Sequence, residues 1–278
     1  MRFAKYEGIG NDFVMIADPG DEIRLSPEQV QGLCDRRFGI GGDGVIRVAP
    51  GSSETDFFMD YSNADGSIAE MCGNGIRCLA AFARDEGLTE ATRLRVDTRA
   101  GLKVVEVQGD GRIRVDMGPP IFAPAEIPVR GDGSDALHTK LELKHGILEA
   151  ACLSMGNPHA VMFVEDLEGT PVSSLGRLVE HHPAFPNGVN VEFVHVSTAD
   201  RIDMRVWERG SGVTLASGTG ACASAVAARL LRDTNQEVTV GLPGGDLAIQ
   251  WAGSLYDEQS VFMTGPATKS FHGEINIQ

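Results

Sequence analysis

Cys72-Gly73-Asn74-Gly75 and Ser217-Gly218-Thr219-Gly220 have the same form: a nucleophilic side chain followed by two glycines around a polar residue. Glycine-rich turns that open helices direct unpaired backbone N–H groups at whatever lies before them, and an amino-acid carboxylate suits such a turn. The same partial positive charge favours a thiolate, so Cys72 is placed to act as a base. Removing an α-proton without a cofactor leaves a poorly stabilised carbanion, and dense hydrogen bonding to the carboxylate is the available compensation. One base on each face of the carbon then allows removal on one side and delivery on the other. Ser217 stands where this logic asks for the second base. Its hydroxyl is a donor, but it does not ionise usefully near neutral pH.

The two tetrads belong to a longer repetition. Gly10-Asn11 and the Asp-Phe-Val-Met after it return 146 residues later as Gly156-Asn157, followed by Pro-His-Ala-Val-Met. Gly42-Asp43-Gly44-Val45 returns at the same spacing as Gly188-Val189-Asn190-Val191, and Asn63 falls opposite Glu208. Four matches in one order imply two homologous halves, and two halves facing each other would bring related groups to opposite sides of one cleft.

The segments GIGNDFVMI (8–16), DYSNADGSIAEMCGNGIRC (60–78), MGNPHAV (155–161), GVNVEF (188–193) and ERGSGVTLASGTGAC (208–222) closely resemble the diaminopimelate epimerase family, and they run in order through essentially the whole chain. The resemblance implies interconversion of LL- and meso-diaminopimelate by a thiol–thiolate pair, with no cofactor and no metal. It implies an α+β fold of two pseudo-symmetric domains, each a barrel-like sheet around a central helix, and a homodimer. Carried over by position, Cys72 resembles the first catalytic cysteine, and Ser217 occupies the place of the second. Asn11, Asn63, Asn157 and Asn190 match substrate-binding asparagines. Glu208 and Arg209 match a pair that holds the distal ammonium and carboxylate. Gly73-Asn74 and Gly218-Thr219 match the turns that bind the reacting α-carboxylate, and His159 and Glu208 resemble groups that tune the thiols. A glutamine frequent in the family near position 44 is Gly44 here, so its side-chain contact is lost.

Plainer readings stand beside these. Asparagines after glycine are common turn residues, Glu208-Arg209 also suits a strand-end ion pair, and His159 a hydrogen-bonded, half-buried histidine. Two other functions use the same residues: a proline-racemase-like dehydratase or lyase, and a non-catalytic amino-acid-binding protein. Gly39-Ile40-Gly41-Gly42-Asp43-Gly44 fits a dinucleotide fingerprint by spacing, but a strand-like run follows it, so that reading is rejected.

The elements that must carry these residues follow from the apolar patterning. In the first half, strands are expected at 3–6, 13–16, 44–49, 55–61, 94–98, 102–108 and 113–117. A helix capped by Ser26 with Pro27 at its first position is expected to run to about Arg37, and a second from about Asn74 to Glu86. In the second half, strands are expected at 148–155, 160–164, 190–196, 202–207, 238–241, 246–250 and 260–264. Helices are expected around 175–181 and from Ser217 through Leu231. The stretch ACASAVAARLL (221–231) is small or apolar nearly throughout, which predicts a helix buried on all sides with strands around it. Met117-Gly118-Pro119-Pro120 breaks both helix and strand. The expected domains are 1–118 plus 265–278, carrying Cys72, and 119–264, carrying Ser217.

Composition bounds the rest. The 278 residues suit two domains with separate cores, and the net charge of −15 argues against nucleic acid and anionic membranes as partners. No run approaches the roughly 18 apolar residues of a membrane span, and the N-terminus lacks the apolar stretch of a signal peptide. Five scattered cysteines form no disulfide framework, which makes a reducing, cytoplasmic location the default. Cys34, Cys78, Cys152 and Cys222 read as small apolar fillers. Cys72 and Cys78 are too far apart for a zinc knuckle, and His181-His182 has no partner at ligand spacing.

Overall fold

A computed structural model describes residues 1–130, 134–144 and 146–276. Residues 131–133 and 145 of the expected second domain, and 277–278 of the expected tail, lie outside the described residues. In chain order the elements begin with β1 (Arg2–Gly8), β2 (Asn11–Ala17), α1 (Pro27–Cys34), β3 (Gly44–Pro50), β4 (Phe57–Asn63) and α2 (Gly73–Asp85). They continue with β5 (Arg93–Thr98), β6 (Gly101–Val107), β7 (Ile113–Gly118), β8 (Thr139–Leu143), β9 (Gly146–Ser154), β10 (Pro158–Phe163) and α3 (Val172–Glu180). The last are β11 (Asn190–Thr198), β12 (Arg201–Glu208), β13 (Gly212–Thr214), α4 (Gly218–Arg232), β14 (Glu237–Leu242), β15 (Gly245–Gln250), β16 (Val261–Gly265) and β17 (Thr268–Glu274). The chain divides into two compact units, residues 1–116 with 264–278, and residues 117–263.

Each unit is α+β, and strand pairing repeats between them. In the first, β1–β2 is antiparallel, β2–β3 parallel, β3–β4 antiparallel, β4–β5 parallel and β5–β6 antiparallel. In the second, β9–β10, β10–β11, β11–β12, β12–β14 and β14–β15 follow the same alternation. Each parallel pair needs a crossover, and the crossovers hold α1 and α2 in one unit, α3 and α4 in the other. The tail strand β17 pairs antiparallel with β1.

Helix α2 packs against β1, β2, β3, β6 and β17, and α4 against β9, β10, β11, β12, β14 and β15. Every residue from Gly220 to Ala228 is buried. Alanine, serine and cysteine keep that helix narrow enough for strands to approach from several sides, so its sequence and its position have one cause.

Three local features set the site residues. Ile9 (φ 51°) and Gly10 (φ 86°) both lie in the left-handed region and close the β1–β2 hairpin tightly, which makes Asn11 the first residue of β2. Ser26 caps α1 in a reciprocal capping box with Gln29, with Pro27 at the first helical position. The helix then stops at Cys34, short of the expected Arg37. The Asp35 carboxylate accepts from the Arg37 and Phe38 amides at 2.7 and 2.8 Å, a local turn that competes with further helix. Strand β4 runs 57–63 in place of 55–61, because Thr55 Oγ1 bonds the Asp97 carboxylate at 2.6 Å and holds the chain in a turn there. β8, β13 and β17 were not anticipated; β8 alternates over only five residues (TKLEL), and β13 and β17 carry no strong alternation.

Candidate active site

Cys72 is the N-cap residue of α2 and Ser217 that of α4, with closely similar backbones: φ −138°, ψ 122° against φ −140°, ψ 112°. Extended backbone at the cap turns the side chain back onto the helix start. Cys72 Sγ accepts from the Gly75 amide at 3.4 Å, and Ser217 Oγ accepts from the Gly220 amide at 3.3 Å. Gly73 and Gly218 are buried. Cys72 is half-buried, whereas Cys34, Cys78, Cys152 and Cys222 are buried. Burial pushes the Cys34 thiol up to about 11 and the Cys152 thiol up to about 12, and raises Cys78 further. Those three thiols are therefore poor nucleophiles at neutral pH.

Around Cys72, Asn11 is the hub. Its Oδ1 accepts from the Cys72 thiol at 3.6 Å and from Asn74 Nδ2 at 3.2 Å, while its Nδ2 donates to Asp43 at 2.7 Å. Asp43 also accepts from the Asp12 amide and pairs with Arg36, which bridges to Asp12 at 2.7 Å. Lys5 completes this network, with Nζ 2.7 Å from the Asp12 carboxylate. Burial pushes the Asp12 carboxyl up, but the hydrogen bonds from Arg36 and Lys5 outweigh it and hold the group at about 2. Arg77, fully buried within α2, donates to the Gly73 carbonyl at 3.3 Å and to Asn74 Oδ1 at 3.0 Å. Asn63 ends β4 opposite Gly44 and donates to Ser67 Oγ at 3.0 Å; among the described residues no side-chain bond links it to Asn11. Gly44 leaves no room for a side chain, since a Cβ there would sit 2.5 Å from the Ser62 carbonyl oxygen.

The second unit builds a parallel arrangement. Asn157 Nδ2 donates to Thr219 Oγ1 at 3.3 Å, where in the first unit Asn11 accepts from Asn74. Asn157 Oδ1 lies 2.9 Å from His159 Nε2, and His159 Nδ1 lies 2.7 Å from Glu192 Oε1. His159 is fully buried, so the half-buried reading is corrected: β10 places it inside the strand layers. Asn190 opens β11, donates to the Pro158 carbonyl at 3.0 Å, and accepts from the Arg209 amide at 2.9 Å. Glu208 ends β12 and accepts from Thr214 Oγ1 across the short β12–β13 hairpin. The Arg209 side chain is exposed and reaches the Asn187 carbonyl at 3.3 Å. Glu180 on α3 holds this hairpin, accepting from the Trp207 indole at 2.7 Å and the Gly210 amide at 2.9 Å.

Sequence reasoning passed over Asp43, Arg77, Glu180 and Glu192. Asp43 and Glu192 sit inside repeated or family-like segments, so a signal existed for them. Arg77 lies inside such a segment too (60–78), but no local pattern announces its burial or that of Glu180. Among the described residues no cluster of three or more His, Cys, Asp or Glu side chains is arranged to hold a metal ion.

The profile of the family described as "Diaminopimelate epimerase" matches residues 3–123 and 151–270. A protein named diaminopimelate epimerase from Synechococcus elongatus is 47% identical over 280 residues, covering 100% of this chain and 99% of its own. A protein of the same name from Acaryochloris marina is 49% identical, covering 98% of each chain. Among solved structures, a phenazine biosynthesis protein of the PhzF family from Bacillus anthracis superposes with a TM-score of 0.73 at 17% identity, covering 100% of this chain and 99% of that one. A probable proline racemase from Agrobacterium radiobacter superposes with a TM-score of 0.70 at 14% identity, covering 100% and 93%. At such identities these two show the shared fold alone.

Proposed function

Because the chain belongs to the diaminopimelate epimerase family, we propose that it interconverts LL- and meso-2,6-diaminopimelate by moving a proton at one α-carbon. It is an isomerase of the epimerase type, and a place in lysine biosynthesis follows from that membership. The observation that carries the finer reading is the matched pair of caps, Cys72 and Ser217, each at the start of a glycine-rich helix.

In this reading the first-turn amides beside Gly73-Asn74 and Gly218-Thr219 receive the reacting α-carboxylate, with Asn11, Asn63, Asn157 and Asn190 ordering the amino-acid groups around it. Hydrogen bonds to that carboxylate are what offset the cost of the carbanion. Arg209 offers the distal carboxylate a bidentate contact, and Glu208 the distal ammonium a counter-charge. Cys72 is the base on one face. Residue 217 occupies the other role with a hydroxyl, which can donate a hydrogen bond but has no accessible anion, so full epimerisation is slow. No cofactor or metal enters the mechanism. A homodimer and a cytoplasmic location belong to the same proposal; among the described residues no helix is long and apolar enough to cross a membrane, and light scattering reads the assembly.

Incubation of LL- and meso-diaminopimelate separately in heavy water, followed by proton NMR, tests this. Deuterium is expected to enter the isomer whose C–H faces Cys72, with far less from the other. Equal, fast exchange from both would remove the handicap assigned to Ser217. Turnover of hydroxyproline in place of diaminopimelate would replace this reading with the dehydratase one.

A further inference from the structure

The second unit carries a buried polar pair that its twin lacks. His159 and Glu192 lie on the parallel β10–β11 pair, where β2–β3, 146 residues earlier, has Phe13 and Ile46. All four are fully buried. Gly75 and Gly220 face these places from the helix starts. A Cβ added at Gly75 would meet Ile46 Cδ1 at 2.7 Å, and one at Gly220 would meet both Glu192 Oε1 and Ser217 Oγ at 2.9 Å. An isoleucine thus underlies the Cys72 turn, and a carboxylate underlies the Ser217 turn.

The hydrogen bonds have a direction. Asn157 Nδ2 donates to Thr219 Oγ1, which leaves Asn157 Oδ1 to accept from His159 Nε2–H. A second proton then lies between His159 Nδ1 and Glu192 Oε1, 2.7 Å apart. Glu192 Oε2 has no hydrogen-bond partner among the described residues. Stability alone would favour an apolar pair such as Phe13 and Ile46, which fills the equivalent space and strands no oxygen.

We propose that Glu192 is a positioning residue: by holding His159 Nδ1 it fixes the ring so that Nε2 orients the Asn157 amide, which in turn holds Thr219 in the Ser217 turn. Without it the ring loses its anchor and the Asn157 amide is free to flip, withdrawing the donor that meets Thr219. The consequence for binding rests on the reading that Asn157 and Thr219 hold diaminopimelate.

Three variants separate positioning from packing: Glu192→Gln, Glu192→Ile, and the double change His159→Phe with Glu192→Ile, which copies the first unit. Calorimetry gives diaminopimelate affinity, thermal melting gives stability, and 15N NMR of the His159 ring reads which nitrogen carries hydrogen. In the unsubstituted protein Nε2 is expected to be protonated. Glu192→Gln still offers Nδ1 a partner and should bind within about threefold of it, whereas Glu192→Ile should lose about 10- to 100-fold. The double variant should melt within about 4 °C of the parent and still lose that affinity. Parent-like binding by the double variant, or an unprotonated Nε2 in the parent, overturns the proposal. Should the parent fail to bind diaminopimelate, the functional reading falls, while the ring signals of parent and Glu192→Gln still decide the role of Glu192.

Discussion

Ser217→Cys places a thiol in a cap whose geometry its twin already displays. The two cap backbones differ by 2° in φ and 10° in ψ, and the cap hydrogen bonds by 0.1 Å (3.3 Å to Ser217 Oγ, 3.4 Å to Cys72 Sγ). A sulfur therefore fits without moving the helix. One charge-assisted amide bond and the helix dipole together stabilise an anion there by about 2–4 kcal/mol. At about 1.36 kcal/mol per pKa unit, that brings an ordinary thiol, near ~8.5, to neutrality. The same stabilisation leaves a hydroxyl un-ionised. A positioned acid–base group contributes about 10²–10⁴-fold, so conversion of LL- to meso-diaminopimelate should rise by that factor. The assay follows each isomer by NMR in heavy water, before and after the substitution. Adding Cys72→Ala to the Ser217→Cys chain should reverse which isomer exchanges faster. A folded Ser217→Cys protein that binds substrate as before but gains less than tenfold in turnover would refute the reasoning about residue 217.

Three further outcomes follow from individual residues. Iodoacetamide at neutral pH should modify Cys72 alone, and diaminopimelate should protect it; mass spectrometry showing early labelling of Cys34 or Cys152 would contradict their burial and raised thiol pKa values. Glu180→Ala removes the acceptor of the half-buried Trp207 indole and the exposed Gly210 amide, which should cost about 1–2 kcal/mol in urea unfolding and weaken diaminopimelate binding through the loosened Glu208-Arg209 hairpin. Asp12 is held at about 2, below its unfolded value near ~3.9, so its stabilising contribution is present above pH 4 and fades as pH falls toward 2. Comparing unfolding of the parent and Asp12→Asn at pH 6 and pH 2.5 should show the gap between them closing in acid; a constant gap would place the stabilisation elsewhere.

Much of this was legible in the sequence because duplication makes local signals confirm one another. The Cys72 and Ser217 turns, the Ser26 cap and the all-round burial of 221–228 each have a short-range cause: glycine at a helix start, a capping box, a run of small residues. The short strands β8 and β13 and the tail strand β17 have no such cause, since partners distant in sequence decide whether they pair. Asn63 matched by position, and it pairs with Gly44 beside Asp43, yet its side chain bonds Ser67 in the turn that follows its own strand. Arg77 and Glu180 escaped notice because a charged residue on a helix usually faces water, and only the folded chain shows what each one holds.

The burial of α4 bears on how such a protein is altered in the laboratory. A helix packed against six strands through alanine and serine leaves almost no side chain to exchange, and its first turn moves only if the whole unit deforms. Libraries aimed at new amino-acid substrates therefore gain little by varying residues 220–228. On the proposed reading, the hairpin of 208–214, exposed at 209–211 and 213, and the exposed residues 35–38 are where recognition can be rewritten while the proton-handling groups stay in place.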